Sequence, residues 1–270
     1  MRFLYPFARA LRTPNAAVYS LAIQWSLVLV GVPRPRFTVY AKRAMQRTIF
    51  IGDVHGCLFE LEELLSSCAY AQGDRVVLAG DLVAKGPDSL GVLRLAQKLE
   101  ARAVRGNHDH AVLRWRNAAA DAVPERATHH YQVARQLDAE AWRVLESFPL
   151  FLRVPEHDVI VVHGGLVPGI ALEDQEPDLL MNMRTLRADG TGSRRPDDGP
   201  LWGSRWQGPE LVIFGHHAMA GLQRHPKAIG LDTGCVYGGR LSAYALPDDR
   251  LFAVPSRSVY ANADTERKSH

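Results

Sequence analysis

The stretch RTIFIGDVHGCLFELEELLSSCAYAQGDRVVLAGDLVAKGPDS, residues 47–89, decides the architecture. Residues 47–52 (RTIFIG) are β-branched and aromatic, stop at Gly52-Asp53, and predict a buried strand. Residues 57–69 place Leu58, Leu61, Leu64, Leu65 and Cys68 at helical spacing. A second strand over 75–79 (RVVLA) then ends at Gly80-Asp81. Strand, helix and strand in succession predict an open α/β sheet.

The same alternation continues outward. Ser89 is the expected cap of a helix carrying Leu90, Leu93 and Leu95, and residues 101–104 form a third strand ending before Gly106-Asn107. Asp138 opens another helix that runs through Ser147 and stops at Pro149. Residues 159–162 (VIVV) and 211–214 (LVIF) are further strands, each followed within two residues by a histidine. Gly-rich turns separate 229–231, 240–245 and 251–254, expected as antiparallel strands. Residues 188–200, rich in Gly, Asp and Arg, predict a mobile loop. No internal repeat is present.

Composition bounds what such a chain can be. The 270 residues are 47% apolar and 23% charged, the balance of a globular protein with a sizeable core, which excludes wholesale disorder. Three cysteines, Cys57, Cys68 and Cys235, with no CxxC spacing argue against a disulfide framework and a cysteine-ligated metal, and fit a reducing compartment. The formal net charge of +3 conceals an asymmetry: residues 1–52 hold eight Lys and Arg and no acid, leaving −5 for the remainder. A body of that charge gives no support to a nucleic-acid-binding scaffold or to sequence-specific nucleic-acid recognition.

Residues 1–46 are expected to be a basic, acid-free extension, 47–255 the main domain and 256–270 a polar tail. For the extension three readings stand side by side: a mitochondrial-type transit segment, a membrane anchor through the apolar stretch 16–32, or an irregular appendage. The location is accordingly intracellular, cytoplasmic or mitochondrial, with membrane contact only through residues 1–46.

The chemistry lies in where polar residues fall. Asp53 and His55 follow strand one, Asp81 strand two, and Asn107, His108 and Asp109 strand three; His163 and His216 follow the VIVV and LVIF strands. In an open α/β sheet the carboxyl ends of strands share one edge, so these groups can converge. A mixture of carboxylate, imidazole and amide oxygen suits hard and borderline divalent cations: Mn, Fe, Zn, Co or Mg. Each element alone is more simply a polar turn or a hydrogen-bonded loop histidine. Five of them, each after its own apolar strand, are not a coincidence of turns.

These motifs, GDVHG (52–56), GDLVAKGPDS (80–89), GNHD (106–109), VHGG (162–165) and FGHH (214–217), resemble the calcineurin-like, phosphoprotein-phosphatase-type metallophosphoesterases. GDLVAKGPDS and LDTGCVYGGRLSA (231–243) are most similar to the symmetrical dinucleoside tetraphosphatases and the eukaryotic ApaH-like phosphatases. The resemblance implies a four-layer α/β/β/α sandwich: two mixed β-sheets flanked by helices, with a dinuclear metal site at the sheet edge. It implies that Asp53 and His55 hold one metal, that Asp81 bridges, and that Asn107, His163 and His216 (rather than His217) hold the second. Manganese is the expected ion. A metal-activated hydroxide would attack phosphorus, with His108 as general acid.

Lys85 and Arg184 are the implied phosphate-binding cations, Arg184 having a plain surface arginine as its alternative. Tyr237 is read either as flanking the substrate or as a core tyrosine, and Arg240 carries less. Lys85 stands where the protein phosphatases of the superfamily have arginine, and Ala84 where they have an aspartate that orients the catalytic histidine. Both departures point away from the Ser/Thr protein phosphatases, and the resemblance carried by LVAKGPDS and CVYGGRLSA implies a phosphoanhydride substrate: a dinucleoside polyphosphate, an mRNA cap or inorganic polyphosphate. A Ser/Thr protein phosphatase and an inactive binding module of the same fold are the alternatives.

Overall fold

The computed structural model describes residues 46–116, 118 and 128–262. In chain order its first elements are β1 (Thr48–Ile51), α1 (Leu58–Ser67), β2 (Arg75–Leu78), α2 (Ser89–Lys98), β3 (Arg102–Ala103), α3 (Asn107–Leu113), α4 (Thr128–Gln136) and α5 (Ala139–Glu146). Then come β4 (Phe151–Val154), β5 (Val159–Val162), α6 (Pro177–Asn182), β6 (Thr185–Leu186), β7 (Gly192–Ser193) and β8 (Leu211–Phe214). The series closes with β9 (Gln223–Arg224), β10 (Ala228–Gly230), β11 (Arg240–Leu246) and β12 (Arg250–Pro255).

Two mixed five-stranded sheets result, in the orders β12-β11-β1-β2-β3 and β4-β5-β8-β10-β9. Strand periodicity explains how they stack. In β1 every residue is buried, but Ile49 and Ile51 face α1 and α2 while Phe50 faces the other sheet. Between the sheets Phe50, Val77, Val161, Ile213, Ile229 and Tyr244 form one apolar cluster. Burying a side chain such as Phe50 contributes about 1.5–3 kcal/mol. On the outer face of the second sheet Ile160, Val162, Val212 and Phe214 pack under Leu180 of α6 and Trp202. The expected α/β/β/α sandwich is the architecture found.

Several local expectations change. The cap of α2 is Asp88, whose carboxylate accepts from Gly91 N, and Ser89 is the first helical residue; its hydroxyl accepts from Ala84 N instead. The strand near 229–231 is not purely antiparallel: β10 pairs parallel to β8 and antiparallel to β9. The intervening β9 reverses the chain once, so β10 returns in the direction of β8. The stretch 188–200 contains β7, paired with β6, and is tied by ion pairs from Arg187 and Arg195 to Asp198. Helix α4, absent from the sequence reading, packs on α3.

Residues 256–262, expected in the tail, lie against α1: Arg257 N and the Tyr260 hydroxyl both donate to Glu60 Oε1, at 2.9 Å each. The readings of residues 1–45 as transit segment, anchor or appendage, and of 263–270 as tail, lie outside the described residues. Among the described residues no helix is long and apolar enough to cross a membrane.

Candidate active site

The strand ends singled out by the sequence open onto one edge. Strands β1, β2 and β3 run parallel, as do β5 and β8, so the residues that follow them emerge on the same side. The loops carrying those residues are contorted. His55, Asp81, Ala84, Lys85 and His216 all have positive φ, between 49° and 73°. A side chain in that region costs roughly 1–2 kcal/mol per residue. Such strain persists only where the surroundings over-determine it.

Asp109 supplies much of that determination. Its buried carboxylate accepts from Asp81 N at 2.9 Å, Leu82 N at 3.0 Å and Gly106 N at 3.0 Å, tying the loops after β2 and β3 together. His55 N donates to Asp81 O at 2.7 Å, and His216 N lies 3.1 Å from both carboxylate oxygens of Asp53. Close approach explains two glycines. A Cβ at Gly106 would stand 2.0 Å from Asp81 Oδ1, and one at Gly215 would stand 2.0 Å from Asp53 Oδ1.

The result is a cluster of donors centred on Asp81. Its Oδ2 is 3.2 Å from His163 Nε2 and 3.5 Å from His55 Nε2. Asn107 Oδ1 lies 3.0 Å from both His163 Nε2 and His216 Nδ1. Asp53, Asp81 and His163 form one group whose donor atoms all lie within 4.8 Å of one another, and His55, Asp81 and His108 form another. All six residues assigned to metals by resemblance are therefore together, with His108 beside them.

The far nitrogens of the three histidines test whether this set suits cations. His163 Nδ1 is 2.8 Å from Ala79 O, His216 Nε2 is 3.0 Å from Asn182 O, and His55 Nδ1 is 3.4 Å from Val83 O. A carbonyl can only accept, so each far nitrogen carries the hydrogen and donates it. A bound cation would take the near nitrogen's lone pair, as in metal-ligating histidines, in place of the contacts that His163 and His216 make here with Asp81 and Asn107. The donor set fits divalent metal ions.

Electrostatics show that the cluster draws positive charge, here onto His163. Burial pushes the Asp53 carboxyl well above the usual range, reinforced by Asp232 nearby. Burial would also raise Asp81, but the His163 and His108 imidazoles outweigh it and hold that carboxyl well below the usual range. Burial works against the charged form of His163, yet Asp81 and Asp53 lift it to about 10. Burial, then Arg184, keep His216 neutral. Three buried carboxylates converging on one edge are the environment in which added positive charge is favourable.

A cavity of about 1100 Å³ opens over the cluster, lined by Lys85, Arg184, Arg194, Arg195, Tyr237 and Asp232 among others. Lys85 Nζ donates to the Tyr237 hydroxyl at 2.6 Å and lies 3.5 Å from His55 Nε2. Arg184 Nη1 donates to Arg194 O at 2.8 Å. Both predicted cations thus face the cavity. Tyr237 faces it too, which favours the first of its two readings. Arg240 donates to Ala253 O within the sheet and does not line the cavity.

Sequence reasoning gave four residues here no role of their own. Asp232 follows β10 as Asp53 and Asp81 follow their strands; its place in LDTG was the available signal. Asp109 lay inside a quoted motif, but its cross-linking role depends on the fold. His129 and His130 open α4, and the doublet itself was their only mark in the sequence. A further group, Cys57, Glu60 and Cys235, lies buried behind the site. A hydrogen bond with Cys235, and then burial, push the Cys57 thiol up, so it stays protonated and is no ligand for a hard cation.

Residues 46–250 match the calcineurin-like phosphoesterase family. The chain is 29% identical over 233 residues to bis(5'-nucleosyl)-tetraphosphatase PrpE [asymmetrical] of Halalkalibacterium halodurans, covering 77% of this chain and 93% of that protein. It is 29% identical over 277 residues to the symmetrical bis(5'-nucleosyl)-tetraphosphatase of Edwardsiella ictaluri, covering 81% and 99%. A crystal structure provisionally assigned to a diadenosine tetraphosphatase superimposes with a TM-score of 0.72 at 40% identity, covering 79% of this chain and 95% of that one.

Proposed function

The chain belongs to the calcineurin-like phosphoesterase family, and from that premise we propose that it hydrolyses phosphoanhydride bonds of dinucleoside polyphosphates. The observation that carries the reading is Asp81, whose one oxygen lies within 3.5 Å of histidines from both halves of the cluster, beneath a cation-lined cavity. Asp53, His55 and Asp81 would hold one divalent cation, and Asp81, Asn107, His163 and His216 a second. When bound, two such ions, manganese in our reading, supply Lewis acidity, lowering the pKa of water and offsetting charge on the phosphoryl oxygens.

The remaining steps belong to this chain's own side chains. Lys85 would donate to a phosphoryl oxygen as a point charge, exchanging its bond to Tyr237 for one to substrate. Arg184, which also lines the cavity, would bind a further phosphate, with Arg194 and Arg195 available to a longer phosphate chain. His108 would hold the proton that the leaving phosphate oxygen takes up. A polyphosphate uses every one of these cations, whereas a phosphoserine peptide has one phosphate to offer them.

The experiment is a chromatographic product analysis with the full chain and manganese. Diadenosine tetraphosphate, capped RNA, inorganic polyphosphate and a phosphopeptide are supplied separately. Cleavage of the dinucleotide is expected, two ADP marking symmetrical attack and ATP plus AMP asymmetrical attack. Turnover of the phosphopeptide alone would assign a protein phosphatase instead. No turnover of any substrate, with metals bound, would leave a binding module.

A further inference from the structure

The imidazole of His108 has two nitrogens, and only one can face a substrate. His108 Nδ1 lies 2.9 Å from Nε2 of His130, in the first turn of α4. The two rings stack with centroids 5.2 Å apart and planes 21° from parallel. This contact joins α3 to α4 across 22 residues of chain. His129, one residue earlier on α4, accepts through Nε2 from Lys85 N, the amide of a residue held at φ 68°. One helical turn thus grips both the loop of the phosphate-binding lysine and the ring of the general acid.

We propose that His130 is a positioning residue for His108: its Nε2 accepts the Nδ1–H of His108 and turns His108 Nε2 toward the leaving oxygen. This rests on the phosphohydrolase reading above and on the role given there to His108. A His108 able to donate from Nε2 while protonated also carries a hydrogen on Nδ1, so only an acceptor fits on that side. A neutral imidazole is such an acceptor. Burial, followed by the neighbouring His108, His129 and Lys85, holds His130 down at about 4, which keeps it in the accepting form.

In the step itself the Nε2–H bond of His108 breaks and an O–H bond forms on the departing phosphate oxygen. The Nδ1–H stays with His108, still donated to His130, and the lost proton is regained from water. His130 therefore never exchanges a proton with substrate. Its contribution is to remove the ring-flipped and swung-out positions in which Nε2 would miss the leaving group.

The test uses the full chain loaded with manganese, with kcat and KM measured on phenyl phosphate and on p-nitrophenyl phosphate, whose phenolate leaves with little protonation. His130→Phe keeps a ring but removes the nitrogen. It is expected to lower kcat on phenyl phosphate roughly 10-fold, part of the ~10²–10⁴ that proton transfer contributes, and to lower it less on p-nitrophenyl phosphate. KM, manganese content and melting temperature should stay near wild type. In a His108→Ala background the same change should add nothing.

His130→Gln and His130→Met are nearly equal in size, and only Gln can accept a hydrogen bond. Gln should retain most of the activity that Met loses. If the phenylalanine variant does not fold, this pair carries the test. Equal losses on both substrates, additive losses in the double variant, or equal behaviour of Gln and Met would overturn the inference. If His108→Ala itself causes no loss dependent on the leaving group, the assignment of His108 falls, and the inference falls with it.

Discussion

Replacing Gly215 with alanine should strip the site of metal without unfolding the protein. Gly215 does not occupy the left-handed region, so alanine suits its backbone and the effect is purely steric. The new Cβ would stand 2.0 Å from Asp53 Oδ1, whereas real Cβ contacts below 3.0 Å essentially do not occur. The carboxylate must therefore retreat by about 1.0 Å, the difference of those two distances. Its next contact, Asp53 Cγ at 3.1 Å, belongs to the same carboxylate, and Ala79 O at 3.4 Å is ordinary, so the displacement falls on the carboxylate of Asp53, a proposed metal ligand. A misplacement of about 1 Å can cost on the order of 10²-fold in rate, or about 2.7 kcal/mol of barrier.

The assay combines manganese retained after dialysis, kcat on diadenosine tetraphosphate, and the thermal midpoint. Metal affinity should fall roughly 10–100-fold. Gly169→Ala is the control: it forces φ 84° on a side chain with nothing within 4 Å, so it should cost stability alone. Wild-type metal retention and turnover in Gly215→Ala would refute the placement of Asp53 as a ligand.

Three further outcomes are expected. Asp81→Asn should lower kcat by about 10²-fold or more and weaken binding of both metals together, as titration calorimetry with manganese would register; loss of a single metal would contradict the bridging role. Tyr260 is raised from 10 to about 12, by burial and then by its bond to Glu60. A raised folded value means stability present below pH 10 and lost as pH climbs through about 12. The denaturation midpoint of wild type should therefore fall more steeply over that interval than that of Tyr260→Phe, and parallel curves would exclude the effect. Ile213→Val, in the cluster between the sheets, should cost about 0.5–1.5 kcal/mol in urea unfolding while leaving kcat unchanged.

The sequence by itself determined the strands β1, β2, β3, β5 and β8 and the polar residues at their ends, while the sandwich was implied by the resemblance of its motifs and β4, β6, β7 and β9 went unread. Each of those signals is local: an apolar run fixes a strand, and a polar residue within a few positions of its end has nowhere to go but the sheet edge. The glycines beside those residues were legible for the same reason, although the 2.0 Å approaches that demand Gly106 and Gly215 were not. Tertiary structure alone decided which groups hold those side chains in place. His130 meets His108 across 22 residues, Asp109 reaches Asp81 across 28, and Tyr237 meets Lys85 across 152. No periodicity records such pairs, because they exist only once helices and strands have packed and turned particular faces together. The same holds for β10, whose direction depends on β9 reversing the chain before it. Local hydrophobic patterning places the ends of elements, while the orientation of a side chain at those ends is set by what the rest of the fold brings against it.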